Sequence, residues 1–403
     1  MERSPFLARL WGDGPVPERL EDLPALPLCD KAMLREAQAA RPPFGDYLAT
    51  RPERVVRLHR TSGTTGQAMN IAQTGTDAAQ TAEVGGRCFR AAGLAPGTLT
   101  VHCLNYRMWM GGVSDHLALE AAGATVIPFG TGDSALLVRT ILDLGIAAIH
   151  CTPSYPAALE RTVAEQFPGL APRDLGLRLG LFGGEAGLDN PSFRARLESV
   201  WGFAARNANY GVSDAFSIFA SQCEANDDLH FLAGDVLHAE LIEPESAEPV
   251  PWRDGESGEL VLTHLAREAQ PLVRFRTGDV IAVTGTGACA CGRVVPRFRV
   301  LGRSDDMVVV RGVNVFPAAV GGVIAGFDAL SGEFRIRLKG RGPYDRLPVE
   351  AELAPGHEAT DALAARVEDA LRATLRASAR VTLLPPAALP RTGGKTRRLL
   401  RED

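Results

Sequence analysis

Lysine is nearly absent from this chain. Of its 43 lysine and arginine residues, three are lysine, namely Lys31, Lys339 and Lys395. A planar guanidinium is a poor substitute where a compact ammonium must reach one closely placed oxygen atom. Lys395 lies in the turn Gly393-Gly394-Lys395, and its retention against a strong bias toward arginine indicates a specific anionic partner. Chance survival of a surface lysine is the alternative.

Long apolar segments and an excess of positive charge are also lacking. No apolar run reaches the length of a membrane span, and the net charge is -5, so we expect neither a membrane nor a nucleic-acid partner. The first residues lack the apolar core of a signal peptide, which predicts a cytoplasmic location. In that compartment the seven cysteines are expected to be thiols or metal ligands instead of disulfides.

The length and the pattern of apolar residues predict two domains. A chain of 403 residues is too long for one ordinary core. From about residue 55, short apolar strands alternate with longer helices, which indicates an α/β domain with mostly parallel sheets. Short strands with turns predict a β-rich subdomain at about 215–300. We therefore predict a large domain over 1–304 and a small α+β domain over 305–403.

A turn rich in hydroxyl groups and glycine follows the first predicted strand of this pattern. Its sequence, over 61–66, is Thr-Ser-Gly-Thr-Thr-Gly. Backbone N–H groups and hydroxyls of such a turn can surround phosphates, because glycine allows close approach and positive φ. It is not a Walker motif, since no Gly-Lys-Ser/Thr follows. An ordinary loop is the alternative interpretation when this motif is considered by itself.

Two acidic turns lie further along the chain. Tyr210 and Asp214 belong to one of them, predicted to follow a strand end, where an aromatic ring can cover a purine and a carboxylate can hold Mg²⁺. Asp279 is predicted at a turn between strands, where it can accept hydrogen bonds from ribose hydroxyls. A helix cap at Ser213 and an ordinary Gly-Asp turn at 278–279 are the alternatives.

One set of cysteine and histidine residues indicates a metal site. Three thiols and one imidazole make a closed ligand set of the kind that suits structural zinc. The spacing differs from the usual Cys-x-x-Cys. The candidate ligands are Cys223, His230, Cys289 and Cys291. The remaining cysteines are expected to be buried thiols, namely Cys29, Cys88, Cys103 and Cys151.

Taken together and in this order, the motifs resemble the phenylacetate–CoA ligase family of adenylate-forming acyl-CoA synthetases. The resemblance runs from about residue 20 to the C-terminus and is densest over 258–317, which includes GRSDDMVVVRGVNVFP at 302–317. It implies an ATP-dependent, AMP-forming acid–CoA ligase. It also implies that the small C-terminal domain is mobile and rotates about Asp305.

The resemblance also implies roles for individual residues. The phosphate loop would comprise Thr61, Ser62, Gly63, Thr64, Thr65 and Gly66, with Thr65 among the catalytic residues. Residues for the adenosine would be Gly184, Glu185, Tyr210, Gly211, Ser213, Asp279 and Arg303. Asp214 would hold Mg²⁺, and Lys395 would bridge the acid carboxylate and the α-phosphate. The set Cys223, His230, Cys289 and Cys291 matches positions that look like a zinc site in this family. Glutamate is usual at position 214 and lysine is frequent at position 67, where this chain has Asp214 and Gln67.

The acid pocket is expected between 105–116 and 182–187, closed by 210–219. Flat or soft apolar side chains in these segments favour an aryl or arylacetic acid, although Asp115 leaves an amino acid open. These side chains are Tyr106, Met108, Trp109, Met110, Phe216 and Phe219, some of which can equally be core residues. Coenzyme A is the expected acceptor, with a carrier-protein pantetheine or an amine as alternatives. A non-catalytic adenylate-binding protein and a homodimer are also left open.

Overall fold

The computed structural model describes residues 4–12, 14, 17–61, 68–340, 344–390 and 398–402. Most of the predicted phosphate loop lies outside the described residues, and so does the predicted catalytic lysine. The residues concerned are Ser62, Gly63, Thr64, Thr65, Gly66, Gln67 and Lys395. Thr61 is described, at the end of the strand that precedes this loop.

The helices begin where local capping groups are available. Asp30 accepts a hydrogen bond from Met33 N at 2.9 Å and so caps α2, while Thr74 and Asp77 form a reciprocal capping box at the start of α3. The described α-helices are α1 Pro5–Trp11, α2 Lys31–Ala40, α3 Gly75–Ala91, α4 Met110–Ala121, α5 Ser134–Leu144, α6 Tyr155–Gln166, α7 Pro191–Trp201, α8 Pro317–Ile324 and α9 Asp361–Leu375. Among the described residues, no helix is both long and apolar enough to cross a membrane.

The strands fall into one large sheet and three smaller ones. The first ten are β1 Val55–Arg60, β2 Asn70–Thr74, β3 Leu99–His102, β4 Thr125–Ile127, β5 Ala148–Cys151, β6 Leu179–Gly183, β7 Ala204–Val212, β8 Phe216–Cys223, β9 Asn226–Phe231 and β10 Leu237–Ile242. The next ten are β11 Pro249–Val250, β12 Ser257–His264, β13 Phe275–Gly285, β14 Arg297–Arg303, β15 Val308–Val310, β16 Val313–Val315, β17 Leu330–Lys339, β18 Leu347–Leu353, β19 Ala379–Leu384 and β20 Leu399–Glu402.

The large sheet joins a parallel part to an antiparallel part. Its strand order is β11-β10-β12-β13-β14-β9-β8-β7-β6-β5-β3-β4. Strands β4, β3, β5, β6 and β7 run parallel, whereas β7 pairs antiparallel with β8. The parallel part matches the predicted alternation of strands and helices, and the antiparallel part matches the predicted β-rich region. The continuity of the two through β7 was not predicted, because non-local strand pairing leaves no local pattern in a sequence.

The chain forms two compact units. The first comprises the residues up to Asp189 together with Arg196–Thr277 and Ile281–Arg299. The second comprises Asn190–Ala195, Gly278–Val280 and the residues from Val300 onward. The division into domains at residue 304 stays a prediction.

In the first unit, two helices pack closely enough to need small residues. A Cβ added to Gly85 of α3 would lie 2.6 Å from the Cβ of Ala118 in α4, so the contact requires glycine at this position. Buried Phe89 and Leu119 continue the same apolar cluster. This packing holds α4 against the sheet, and α4 carries part of the candidate site.

The second unit has its own core. Its four-stranded sheet has the order β19-β18-β17-β20, with β17 and β18 antiparallel and the outer pairs parallel. Val367 and Leu371 of α9 are fully buried with Ile336 and Leu338 of β17. Burial of such side chains on one face of the sheet provides the main stabilisation of this unit.

Two expectations about local structure are wrong, and one alternative is excluded. Asp279 does not lie at a turn between strands, because it lies within β13. The neighbouring Gly278 has a φ of +76°, which glycine adopts without strain. Tyr210 does not follow a strand end but lies within β7. Ser213 caps no helix, since the chain turns at this point from β7 directly into β8.

Candidate active site

The Asp214 side chain forms a partly buried ion pair in the first unit. It lies in the turn between β7 and β8, and its Oδ2 is 2.7 Å from Lys31 Nζ. The side chain is only 6% exposed. Its second oxygen, Oδ1, is buried and has no hydrogen-bond partner among the residues that the structure describes. A buried oxygen without a partner is costly, so this atom fits a position that receives a cation.

Lys31 was not predicted to belong to the site. It is the first residue of α2, where the helix dipole disfavours a cation, and it lies between the capping carboxylate of Asp30 and the carboxylate of Asp214. These two negative charges compensate the positive charge of Lys31 at this helix end. The scarcity of lysine was the one signal in the sequence that pointed to this position.

The Tyr210 ring is fixed by two aromatic contacts. It packs edge-on against Phe219, with 5.2 Å between ring centroids, and against Phe298, with 5.4 Å. The next residue is Gly211, where an added Cβ would lie 1.8 Å from the carbonyl oxygen of Ser217. Glycine is therefore required at position 211, because β8 passes directly over the backbone of β7.

The segments predicted to form the acid pocket lie against one another. An added Cβ at Gly183 would lie 2.3 Å from the Cβ of Asn209 in β7. At Gly184, where φ is +80°, it would lie 3.8 Å from the Trp109 ring, and the neighbouring Glu185 is exposed. The end of β6 thus contacts both β7 and the segment that precedes α4.

Some of the apolar side chains expected in this pocket belong to the core. Phe216 and Phe219 have no exposed surface, and Met110 is only 1% exposed. Tyr106 is half-buried and its hydroxyl lies 2.8 Å from His116 Nδ1. Met108, in contrast, is exposed. The hydrophobicity of these residues therefore did not distinguish pocket residues from core residues in the sequence.

In the second unit, Asp279 and Arg303 form an ion pair. Arg303 Nη1 lies 3.2 Å from Asp279 Oδ1, and Arg303 Nε donates to Asp305 Oδ1 at 2.8 Å. The guanidinium lies over Gly278, where an added Cβ would be 2.5 Å from Nη2. The structure thus brings together the two residues that the resemblance assigns to the ribose, and their roles stay predictions.

The four candidate zinc ligands also lie together. Their ligand atoms are all within 4.8 Å of one another. The Sγ atoms of Cys223 and Cys289 are 3.9 Å apart, and Cys291 Sγ is 3.6 Å from His230 Nε2. A tetrahedral zinc ion with ordinary bond lengths needs about 3.8 Å between two sulfurs and about 3.6 Å between sulfur and nitrogen. The arrangement therefore fits zinc. All seven cysteines are free thiols, and the other four are buried.

Comparison with known proteins identifies the family. The description "AMP-binding enzyme C-terminal domain" matches residues 312–402. The chain is 33% identical over 429 aligned residues to phenylacetate-coenzyme A ligase of Thermus thermophilus, covering 99% of this chain and 92% of that protein. The chain belongs to the phenylacetate–CoA ligase family. Phenylacetate-coenzyme A ligase of Pseudomonas putida is 36% identical over 335 residues, covering 83% of this chain and 73% of that protein.

A solved structure shows the same fold. The 2-hydroxyisobutyryl-CoA ligase in the postadenylation state, in complex with 2-HIB-AMP, has a TM-score of 0.87 and 29% identity. The match covers 100% of this chain and 86% of that one. The predicted family, the α/β fold with a small C-terminal domain, and the predicted enzyme class of AMP-forming acid–CoA ligases are thereby confirmed.

Proposed function

We propose that this ligase activates an aryl or arylacetic acid with ATP and transfers the acyl group to coenzyme A. Membership of a phenylacetate–CoA ligase family supports this proposal. The observation that carries it is Asp214, a buried carboxylate with one unpartnered oxygen in the turn that follows the Tyr210 strand. A purine-stacking ring and a cation-holding carboxylate are the groups that adenylation requires.

The reaction has two balanced steps. The acid carboxylate oxygen attacks the α-phosphorus of ATP, the bond to the β-phosphate oxygen breaks, and the acyl adenylate and pyrophosphate form. The thiol sulfur then attacks the acyl carbon, the bond to the AMP oxygen breaks, and the thiol proton passes to solvent. Charge spreads over phosphoryl oxygens in the first step, so electrostatic stabilisation matters more than acid–base catalysis.

Asp214 is proposed to hold Mg²⁺ through its Oδ1. When bound, Mg²⁺ supplies positive charge beside the phosphate oxygens. Lys31 holds Oδ2 at 2.7 Å, which fixes the direction in which Oδ1 points. The side chain of Asp214 is one methylene shorter than the glutamate that is usual at this position. We propose that the Lys31 ammonium, as a second cation, positions this shorter carboxylate.

Other residues are proposed to bind the nucleotide. Tyr210 stacks on the purine, and Asp279 accepts the ribose hydroxyls with Arg303 beside it. Lys395 is proposed to bridge the acid carboxylate and the α-phosphate, and the small domain to move between the two steps. The remaining proposed contacts are the phosphate loop Thr61, Ser62, Gly63, Thr64, Thr65 and Gly66, and the adenine side Gly184, Glu185, Gly211 and Ser213.

Zinc is proposed to have a structural role. Its ligands join the end of β8 and β9 to the loop after β13, and four protein ligands leave no position for a substrate. Cys223, His230, Cys289 and Cys291 would thus stabilise the antiparallel part of the sheet.

ATP–pyrophosphate exchange without an acceptor tests the adenylation step. Exchange that depends on one class of aryl or arylacetic acid supports the proposal. Addition of coenzyme A should then yield the acyl thioester. Exchange without thioester formation would favour a carrier protein or an amine as acceptor, and no exchange with any acid would favour a non-catalytic binding protein.

A further inference from the structure

A connected series of polar side chains lies in the interior of the first unit. It links α4 with strands β3, β5, β7 and β8. Its members are His102, His150, Asn209, Asp115 and Ser217. Both histidines and Asp115 are at most 1% exposed, whereas Asn209 is only half-buried. Burial of a polar group without a hydrogen-bond partner destabilises the folded protein. The hydrogen bonds within this series therefore determine which of its atoms are available to a ligand.

The two imidazoles have a defined direction of hydrogen bonding. His102 Nε2 lies 2.9 Å from the carbonyl oxygen of Gly112, which can only accept, so this nitrogen carries a hydrogen. Burial lowers the pKa of His102 to about 4 and that of His150 well below its usual value, so both rings are neutral. His102 Nδ1 therefore accepts from His150 Nδ1, which lies 2.8 Å away.

The order of hydrogen-bond donors and acceptors extends from His150 to Asn209. Because His150 donates from Nδ1, its Nε2 accepts, and Asn209 Nδ2 lies 3.3 Å from it. The same amide nitrogen donates to Asp115 Oδ2 at 2.5 Å. Both amide hydrogens are then used, while the amide oxygen has no donor among the described residues. Asn209 thus presents a hydrogen-bond acceptor.

Asp115 is also a hydrogen-bond acceptor. Its Oδ1 accepts from the Ser217 hydroxyl and its Oδ2 from Asn209. Desolvation raises its pKa to about 7, against the opposing effect of these two hydrogen bonds. No lysine, arginine or histidine within the described parts of the chain forms an ion pair with it. A further donor would therefore stabilise this carboxylate.

Both acceptors lie at glycines of the expected acid pocket. An added Cβ at half-buried Gly111 would be 3.4 Å from Asp115 Oδ2, and Gly183 contacts Asn209 as described above. Gly111 therefore presents only backbone to the Asp115 carboxylate, and Gly183 allows β6 to approach the backbone and Cβ of Asn209 closely. A substrate group that lies between these segments would meet the half-buried Asn209 first, since Asp115 is only 1% exposed.

Building on the proposed function, we propose that the acid substrate carries a hydrogen-bond donor, an amino or hydroxyl group, that binds Asp115 and Asn209. An acid without this group would leave the Asn209 amide oxygen without a donor and the Asp115 carboxylate with only its two hydrogen bonds from Ser217 and Asn209. Sites that pair a polar group of the substrate discriminate strongly against analogues that lack it. The expected preference in kcat/KM is on the order of 100-fold.

The test compares matched acids in ATP–pyrophosphate exchange. Phenylacetate and benzoate are each compared with their hydroxy and amino derivatives at every ring position. We expect one substituted acid to exceed its parent by about 100-fold in kcat/KM, and Asp115→Asn and Asn209→Ala to reduce that ratio by about tenfold or more. The control is Asp235→Asn, an exposed carboxylate on the same unit, which should leave the ratio unchanged.

The possible results separate this inference from the proposed function. If the parent acids match or exceed all derivatives, the inference is overturned and the ligase activity stands. An unchanged ratio in both folded variants also overturns it. If no acid supports exchange, the proposed function fails, and calorimetric titration of the same acids then decides whether donor-bearing acids bind better than their parents.

Discussion

Lys31 Nζ lies 2.7 Å from Asp214 Oδ2, and the two residues are 183 positions apart in the chain. The lysine belongs to the first turn of α2 and the aspartate to the turn between β7 and β8. This ion pair ties the N-terminal segment to the strand that carries Tyr210. It also places a positive charge beside the carboxylate proposed to hold Mg²⁺.

Replacement of Lys31 by glutamine should destabilise the protein because it leaves the Asp214 carboxylate, 6% exposed, without its cation. We expect the melting temperature to fall by roughly 2–6 °C. Arg87→Gln is the matched control, since Arg87 has the same 34% exposure and the same 2.7 Å distance to its partner, the exposed Asp235. Its effect should be below about 2 °C. Equal shifts in the two variants would show that the Lys31 pair contributes no more than a surface pair.

The proposed magnesium role of Asp214 is tested by two substitutions. Asp214→Asn keeps the size but removes the charge, so exchange should fall by about 100-fold or more and require more Mg²⁺. Asp214→Glu restores the residue that is usual in the family and should retain most activity. Titration of the exchange rate with Mg²⁺ measures both. Wild-type magnesium dependence in Asp214→Asn would exclude this carboxylate as the metal ligand.

Lys395→Ala should separate the two half-reactions. We expect adenylation to be nearly abolished while thiolysis of a supplied acyl adenylate is largely intact, because the ammonium is proposed to contact the acid carboxylate and the α-phosphate in the adenylation step only. Lys339→Ala, at an exposed lysine of β17, is the control and should affect neither step. An equal loss of both half-reactions in Lys395→Ala would contradict the proposed alternation of the small domain.

Cys289→Ser should remove one of the four proposed zinc ligands. The expected result is a lower melting temperature together with loss of most of the bound zinc, measured by elemental analysis of purified protein. Cys103→Ser provides a control, since it alters a buried thiol away from the cluster and should keep the zinc. A wild-type protein without metal and a Cys289→Ser variant with an unchanged melting temperature would refute the zinc proposal.

The burial of Asp115 predicts a pH dependence. Its pKa of about 7 in the folded protein is above the value of 3.8 for the exposed side chain, so the folded state binds the proton more tightly. The contribution of this group to stability is therefore complete below about pH 4 and is lost as the pH rises to about 7. Relative to wild type, Asp115→Asn should gain stability between pH 5 and pH 8, measured by urea unfolding. A constant difference across this range would show that Asp115 titrates normally.

Several local features were predictable because the forces behind them act between neighbours in the chain. Helix α2, for example, begins directly after its capping residue Asp30, which is a signal contained in the local sequence. The four isolated cysteines were correctly expected to be buried thiols. Asp279 was misplaced because a Gly-Asp pair is typical of a turn, whereas here β13, which lies between β12 and β14 in the sheet, continues through both residues.

The sequence by itself determined the family and the enzyme class, since both depend on motifs that are contiguous in the chain. Only the tertiary structure placed Lys31 on Asp214 and linked His102, His150, Asn209, Asp115 and Ser217. Those contacts join segments far apart in the chain. The pairing of β7 with β6 and β8, and the packing of α3 against α4, bring them within hydrogen-bond distance. Such pairings depend on burial across the whole unit, which no local pattern contains.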